Sequence, residues 1–242
     1  MPAVYALAAF FMTLAGGLFA FRYRRYILYI MAFSAGLLIG IAFLDLIPEV
    51  SEMARVNGIE IRVLMVTVLA GFIGIFLLEK LTIIHSEKQH DAPGHHHHVG
   101  LVGALGLSFH SFLDGLAIGV GFQAGTSVGL LVLVAVVAHD FADGLNTMTF
   151  MLATRNSNWR TGLLLGIDAI APVIGALSAG LLRMDPRLIA FQVAFFAGFL
   201  LYLGASDLLP QVHEKPRAVL IACTIGGLFA AALLVYAIQS PA

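Results

Sequence analysis

The 242-residue chain is 60% hydrophobic and only 11% charged, against about 25% charged residues in soluble domains, so its composition excludes an ordinary soluble domain and puts it in a bilayer. Its formal net charge of −1 argues against nucleic acid or an anionic surface as partner. The single cysteine, Cys223, excludes an intrachain disulfide framework.

At about 20 apolar residues per spanning helix, the length leaves room for about eight helices and for no soluble domain besides. The first apolar run covers residues 3–21 and is followed by Arg22, Arg24 and Arg25. A cleaved signal carries its positive charge before the apolar region, so the reversed order predicts an uncleaved first span with its N-terminus outside. The second run, 28–47, ends in Asp45-Leu46-Ile47-Pro48-Glu49-Val50 and leads into a polar loop with Glu52, Arg55 and Glu60; the third is 61–78. A polar stretch, 85–98, then carries six of the nine histidines. Spans four and five are 99–122 and 128–153, and span six, 161–182, contains Asp168 and Pro172. Span seven, 188–209, ends in Asp207-Leu208-Leu209-Pro210-Gln211-Val212, and span eight follows His213 over 218–238.

The expected fold is therefore an all-α integral membrane protein of eight transmembrane helices, one domain over 1–242. With the N-terminus outside, the inside segments hold Arg22, Arg24, Arg25, Lys80, Lys88, Arg155, Arg160, Lys215 and Arg217, and the outside segments hold Arg55, Arg62, Arg183 and Arg187. That bias obeys the positive-inside rule. Both termini are then outside and the histidine-rich loop, 81–98, is cytoplasmic.

Two internal echoes organise the chain. D-L-I-P-E-V closes span two and D-L-L-P-Q-V closes span seven, and these spans run in opposite directions. The pattern predicts a 3+2+3 inverted repeat, with three-helix units at 1–80 and 154–242 around a central pair at 99–153.

The second echo lies in the central pair. His110-Ser111-Phe112-Leu113-Asp114-Gly115-Leu116 and His139-Asp140-Phe141-Ala142-Asp143-Gly144-Leu145 both read H-x-F-x-D-G-L. Residues four apart share a helix face, so His110 stands over Asp114 and His139 over Asp143. Two such faces brought together offer two imidazoles and two carboxylates, a donor set for zinc that also suits iron(II) and manganese(II). Asp114, Asp140, Asp143 and Asp168 all sit near the middle of apolar runs, where each uncompensated carboxylate costs roughly 2.5 to 3.5 kcal/mol. No Lys or Arg lies at that depth, which leaves a bound cation, protons or water to neutralise them. A single His–Asp pair reads equally as a helix contact without an ion; two copies with the extra Asp140 favour ligation.

Other groups keep two readings. Asp45 with Glu49, and Asp207 with Gln211 and His213, are either interfacial helix ends before proline or entry and exit ligands of a metal pathway. His95, His96, His97 and His98 are either a solvated loop or a weak chelator that captures metal. Gly115-x-x-x-Gly119 and Gly121-x-x-x-Gly125 read as close-packing surfaces.

In these residues the chain resembles the ZIP (Zrt/Irt-like) family of divalent-metal transporters. H-x-x-x-D-G-L-A-I-G in span four is close to the family's H-N-x-x-[DE]-G-x-A-x-G, and H-D-x-x-D-G in span five is close to its [HQ]-[END]-x-x-[EH]-G. The eight spans, the histidine loop and the two D-L-x-P ends extend the likeness over nearly the whole chain. The resemblance implies a transporter rather than an enzyme, moving zinc, and as further candidates iron, manganese or cadmium, toward the cytoplasm. It implies a primary metal site of His110, Asp114, His139 and Asp143 between spans four and five, and a neighbouring second site using Ser111 and Asp140. Relatives with two sites often carry Glu just before the span-six proline, where this chain has Ala171; Asp168, one turn earlier, is the candidate substitute. Ser111 stands where many relatives have Asn, and Asp114 and Asp143 where they have Glu, so helices or ion must lie closer.

The expected partners are the metal ion and the bilayer, with homodimerisation left open, and compact loops lean toward a prokaryotic cell membrane. Two rivals remain. Cation-diffusion exporters use similar pairs but resemble six spans followed by a soluble domain. An intramembrane metal hydrolase needs an open metal position and a base, a part Asp140 could take, but the chain has no H-E-x-x-H.

Overall fold

The computed structural model describes residues 2–87, 97–154, 156–181, 185–213 and 217–239; among them there is no strand. Eight long helices follow one another: α1 (Pro2–Arg22), α2 (Arg24–Asn57), α3 (Ile61–Glu87), α4 (His97–Ala124), α5 (Thr126–Ala153), α6 (Asn158–Ser178), α7 (Pro186–Val212) and α8 (Ala218–Gln239). Among the described residues seven of these, α1–α4 and α6–α8, are long and apolar enough to cross a membrane, and α5 is 28 residues long and bears the second motif. Large apolar side chains cover their outer faces; Phe11, Val66, Val134, Leu177 and Phe229 are each more than 60% exposed. Such a surface aggregates in water and is at home against lipid. The chain is a multi-pass, all-α membrane protein, as composition required.

Local chemistry sets the helix ends. Ser157 caps α6 by accepting from the Arg160 N–H at 3.4 Å, and Asp185 caps α7 by accepting from Arg187 N–H at 2.8 Å with Pro186 next in the chain. Gly58 (φ 62°) ends α2 and Gly125 (φ 154°) makes the turn from α4 to α5, both with backbone angles that side-chain-bearing residues rarely adopt. The polar segment after Pro48, read from sequence as a loop, is helical to Asn57. A π-helical turn, Ala42–Leu46, precedes that proline, and a second, Tyr202–Leu208, precedes Pro210. Proline brings no N–H to the carbonyl one turn back, and a wider turn takes up the mismatch without ending the helix.

The helices fall into two compact units. The first joins residues 1–27 to 96–183, which gathers α1, α4, α5 and α6; the second joins 28–95 to 184–242, which gathers most of α2 with α3, α7 and α8. Within the first unit, α1 crosses α5 at Gly16 and Gly144: a Cβ on Gly16 would strike the Phe141 carbonyl, and one on Gly144 the Thr13 carbonyl. Helices α4 and α6 cross likewise, Gly115 against the Pro172 carbonyl and Gly175 against that of Phe112. The second unit repeats the device, with Gly36 and Gly227 joining α2 to α8, and Gly71 and Gly198 joining α3 to α7. Small residues let backbones approach this closely where lipid supplies no hydrophobic drive. Exchanging α1 with α6, α2 with α7, α3 with α8 and α4 with α5 maps the four pairings onto themselves.

Candidate metal centre

The glycine crossings hold the two motifs in register, since Gly115 and Gly144 directly follow Asp114 and Asp143 in sequence. On α4, His110 Nε2 lies 3.2 Å from Asp114 Oδ2. From α5, His139 Nε2 reaches the same oxygen at 3.4 Å and Asp143 Oδ2 at 3.9 Å. The two imidazole centroids are 5.9 Å apart. One ligand atom from each of the four residues lies within 4.8 Å of the other three. Around a tetrahedral zinc with bonds near 2.0–2.1 Å, donors stand about 3.3 Å apart; two separations already match, and a modest contraction closes the rest.

Apolar layers flank the cluster along the helices. Ala6, Ala9, Ile118, Val136 and Ala176 pack on one side, and Ala104, Met151 and Leu164 on the other. The four donors thus lie at mid-helix within the first unit, Asp143 buried and His110, Asp114 and His139 partly buried.

Asp168, on α6, is fully buried and bridges the motif helices. Its Oδ1 accepts from the Ser111 hydroxyl at 2.8 Å and its Oδ2 from the Thr147 hydroxyl at 2.7 Å. Ser111 has an alternative acceptor in the Leu107 carbonyl at 3.1 Å. Two of the residues assigned from sequence to a second metal position, Ser111 and Asp168, are therefore bonded to each other. The third, Asp140, is fully buried, and among the described residues neither of its carboxylate oxygens has a hydrogen-bond partner.

Sequence reasoning missed two neighbours on α5. Thr147, two turns past Asp140, anchors Asp168. Asn146, three residues past Asp143, is fully buried with both amide atoms unpartnered among the described residues. The signal was present: both are polar residues in an apolar helix, spaced to fall on its inner side.

The remaining candidates sit in the second unit. Asp45, half-buried, lies in the π turn of α2, with exposed Glu49 one turn on. Asp207, half-buried, lies in the π turn of α7, where the Gln211 amide donates to its carboxylate at 3.0 Å and to its backbone carbonyl at 3.1 Å. His95 and His96, and the side chains of His97, His98 and His213, lie outside the described residues.

An apolar helical bundle that gathers two histidines and two aspartates at a common point, Asp143 buried and the other three partly buried, defines a multi-pass membrane protein with a donor set fit for a divalent cation. A family model described as ZIP Zinc transporter matches residues 2–104 and 89–236, and the chain belongs to that family, whose members are transporters rather than enzymes. It is similar to zinc transporter ZIP13 of Pongo abelii (24% identical, over 77% of this chain and 58% of the relative) and to a putative zinc transporter of Arabidopsis thaliana (28%, over 79% and 31%). It is also similar to zinc transporter GufA of Myxococcus xanthus (29%, over 72% of each). The chain thus spans little more than half of the ZIP13 relative and under a third of the Arabidopsis one.

Proposed function

We propose that the protein carries zinc across the membrane toward the cytoplasm, with His110, Asp114, His139 and Asp143 as the ligands of the ion in transit. The observation that carries this reading is the convergence of four donors, two imidazole and two carboxylate, within 4.8 Å. The family supplies the reaction class, and the zinc transporters it resembles supply the ion. Buried carboxylates without partners cost several kcal/mol each, and Asp140 and the Asp143 Oδ2 lack hydrogen-bond partners among the described residues. A divalent cation offsets that cost. Iron(II), manganese(II) and cadmium(II) are secondary substrates on the same chemistry.

The direction follows from the charge bias: both termini outside, and the more basic loops in the cytoplasm of a prokaryotic cell. The crossings are consistent with an inverted repeat, and alternating access by movement of one set of helices against another suits such a repeat. Asp45 and Glu49 serve as entry ligands in this scheme, and Asp207, Gln211 and His213 as exit ligands. Ser111, Asp140 and Asp168 form a second position beside the first, which requires Ser111 and Asp168 to exchange their mutual hydrogen bond for the ion.

The test is zinc-65 uptake into proteoliposomes containing protein of known orientation. Wild type takes up zinc from the face that bears the termini, and a His110→Ala, His139→Ala double variant does not. Equal uptake by the two proteins removes the four-residue site from the pathway.

A further inference from the structure

Within the repeated motif the two helices diverge at one buried position. Seven residues after each histidine stands Ala117 in α4, which is exposed, and Asn146 in α5, which is fully buried. On a helical wheel at about 100° per residue, Asn146 falls on the same face as His139 and Asp143, as does Phe150 one turn further on. Phe150 is fully buried, and Ala104, Met151 and Leu164 form an apolar layer at this level. Asn146 therefore has donors on one side along its face and hydrocarbon on the other. Neither its amide oxygen nor its nitrogen has a hydrogen-bond partner among the described residues. A buried amide unsatisfied at both ends is rare in native structures and points to an absent ion or water.

Resting on the metal site proposed above, we infer that the Asn146 amide oxygen is a further ligand of the ion held by His110, Asp114, His139 and Asp143, and that it widens the site toward manganese(II). Residues at i and i+3 stand about 5–6 Å apart at Cβ, a spacing from which two side chains on one helix ligate a common metal. Asp143 and Asn146 have that spacing. Asp143 Oδ2, one turn before Asn146, likewise has no hydrogen-bond partner among the described residues, its nearest donor being His139 Nε2 at 3.9 Å. Two imidazoles and two carboxylates complete a tetrahedral zinc site by themselves. A fifth, neutral oxygen adds little to zinc, but it helps an ion that prefers more ligands and harder ones, and carbonyl and carboxylate oxygens are the donors manganese(II) favours. The duplicated frame is thus specialised on one helix for breadth of substrate.

The test compares zinc-65 and manganese-54 uptake, each metal alone, in proteoliposomes of wild type, Asn146→Ala and Asn146→Asp. The first substitution installs the side chain that the α4 motif carries at this position; the second keeps the volume and an oxygen donor. Asn146→Ala lowers manganese uptake at least about tenfold, the loss that follows even from removing an outer-shell partner, while zinc uptake changes by less than about twofold. Asn146→Asp restores manganese uptake, which a packing role would not require. An unchanged manganese-to-zinc ratio in Asn146→Ala, or manganese uptake no higher in a folded Asn146→Asp protein than in Asn146→Ala, overturns the assignment while leaving the four-residue site intact. A wild-type protein that takes up and binds neither metal overturns both.

Discussion

Substituting alanine for Gly144 tests whether the helix crossings hold the candidate metal centre in shape. Gly144 follows Asp143, and its added methyl would strike the Thr13 carbonyl of α1. A backbone carbonyl in a helix has no rotamer to move to, so α5 must retreat or tilt on the order of 1 Å to restore van der Waals contact. Overpacking of this kind costs about 1–3 kcal/mol, a factor of roughly 5 to 150 in the folded-to-unfolded ratio. The displacement also carries Asp143 away from donors that must close to bonds of about 2.0–2.1 Å, so zinc affinity falls at least about tenfold. The control is Gly162→Ala in α6, where nothing lies within 4 Å of the new methyl; it gains about 0.5–1 kcal/mol from helix propensity. Thermal unfolding in detergent, with and without zinc, reads both effects. Equal unfolding temperatures and equal zinc stabilisation for the two variants would refute the crossing as the element that sets the centre.

Replacing either hydroxyl that binds Asp168 leaves a buried acceptor short of a partner. Thr147→Val and Ser111→Ala should each lower stability by about 1–3 kcal/mol, read by thermal unfolding, because each hydroxyl is the one donor seen on its own Asp168 oxygen, Ser111 on Oδ1 at 2.8 Å and Thr147 on Oδ2 at 2.7 Å. Zinc occupancy, measured by equilibrium binding in detergent, should fall as the medium is acidified, since imidazole must be unprotonated to ligate. In His110→Ala, His139→Ala the carboxylates alone should bind zinc at least about tenfold more weakly than wild type at any pH. Gln211→Ala removes the donor to the Asp207 carboxylate and carbonyl; if Asp207 lies on the exit route, uptake slows while equilibrium zinc affinity at the centre is unchanged.

Much of the centre was legible in the sequence because helix geometry fixes it locally. Once residues 110–116 and 139–145 are helical, His110 must face the way Asp114 does, and His139 the way Asp143 does. The cost of mid-membrane carboxylates likewise forces Asp140, Asp143 and Asp168 inward, and all three are buried. Partners drawn from different helices were not legible. The bonds from Ser111 and Thr147 to Asp168 join α4, α5 and α6, and no spacing within one segment encodes them. The grouping of α1 with α5 and of α4 with α6 was hidden for the same reason, although Gly144 and Gly115 were visible as repeated steps of the internal motif. The π turns escaped because proline was read as a stop, where in α2 and α7 the helix absorbs it and continues.

The two motifs share a scaffold, and their differences carry the chemistry. Each places a histidine over an aspartate and a glycine at a helix crossing, so a frame built from these positions alone would present the same donors from both sides. The residue after each histidine breaks that equivalence: Ser111 directs its hydroxyl to Asp168, while Asp140 keeps two carboxylate oxygens without hydrogen-bond partners among the described residues. The position seven after the histidine breaks it again, with Ala117 exposed and Asn146 buried. Both helices anchor Asp168, α4 through Ser111 and α5 through Thr147, whereas the oxygens of Asp140, Asp143 and Asn146 that lack hydrogen-bond partners among the described residues all lie on α5. An ion held by the four proposed ligands would be shared by both helices, and a ligand gained beyond them would come from the unsatisfied oxygens of α5. Movement of α5 relative to α4 would therefore change the coordination number as well as the metal–ligand distances, a route by which a nearly symmetric bundle can bind an ion tightly in one arrangement and release it in another.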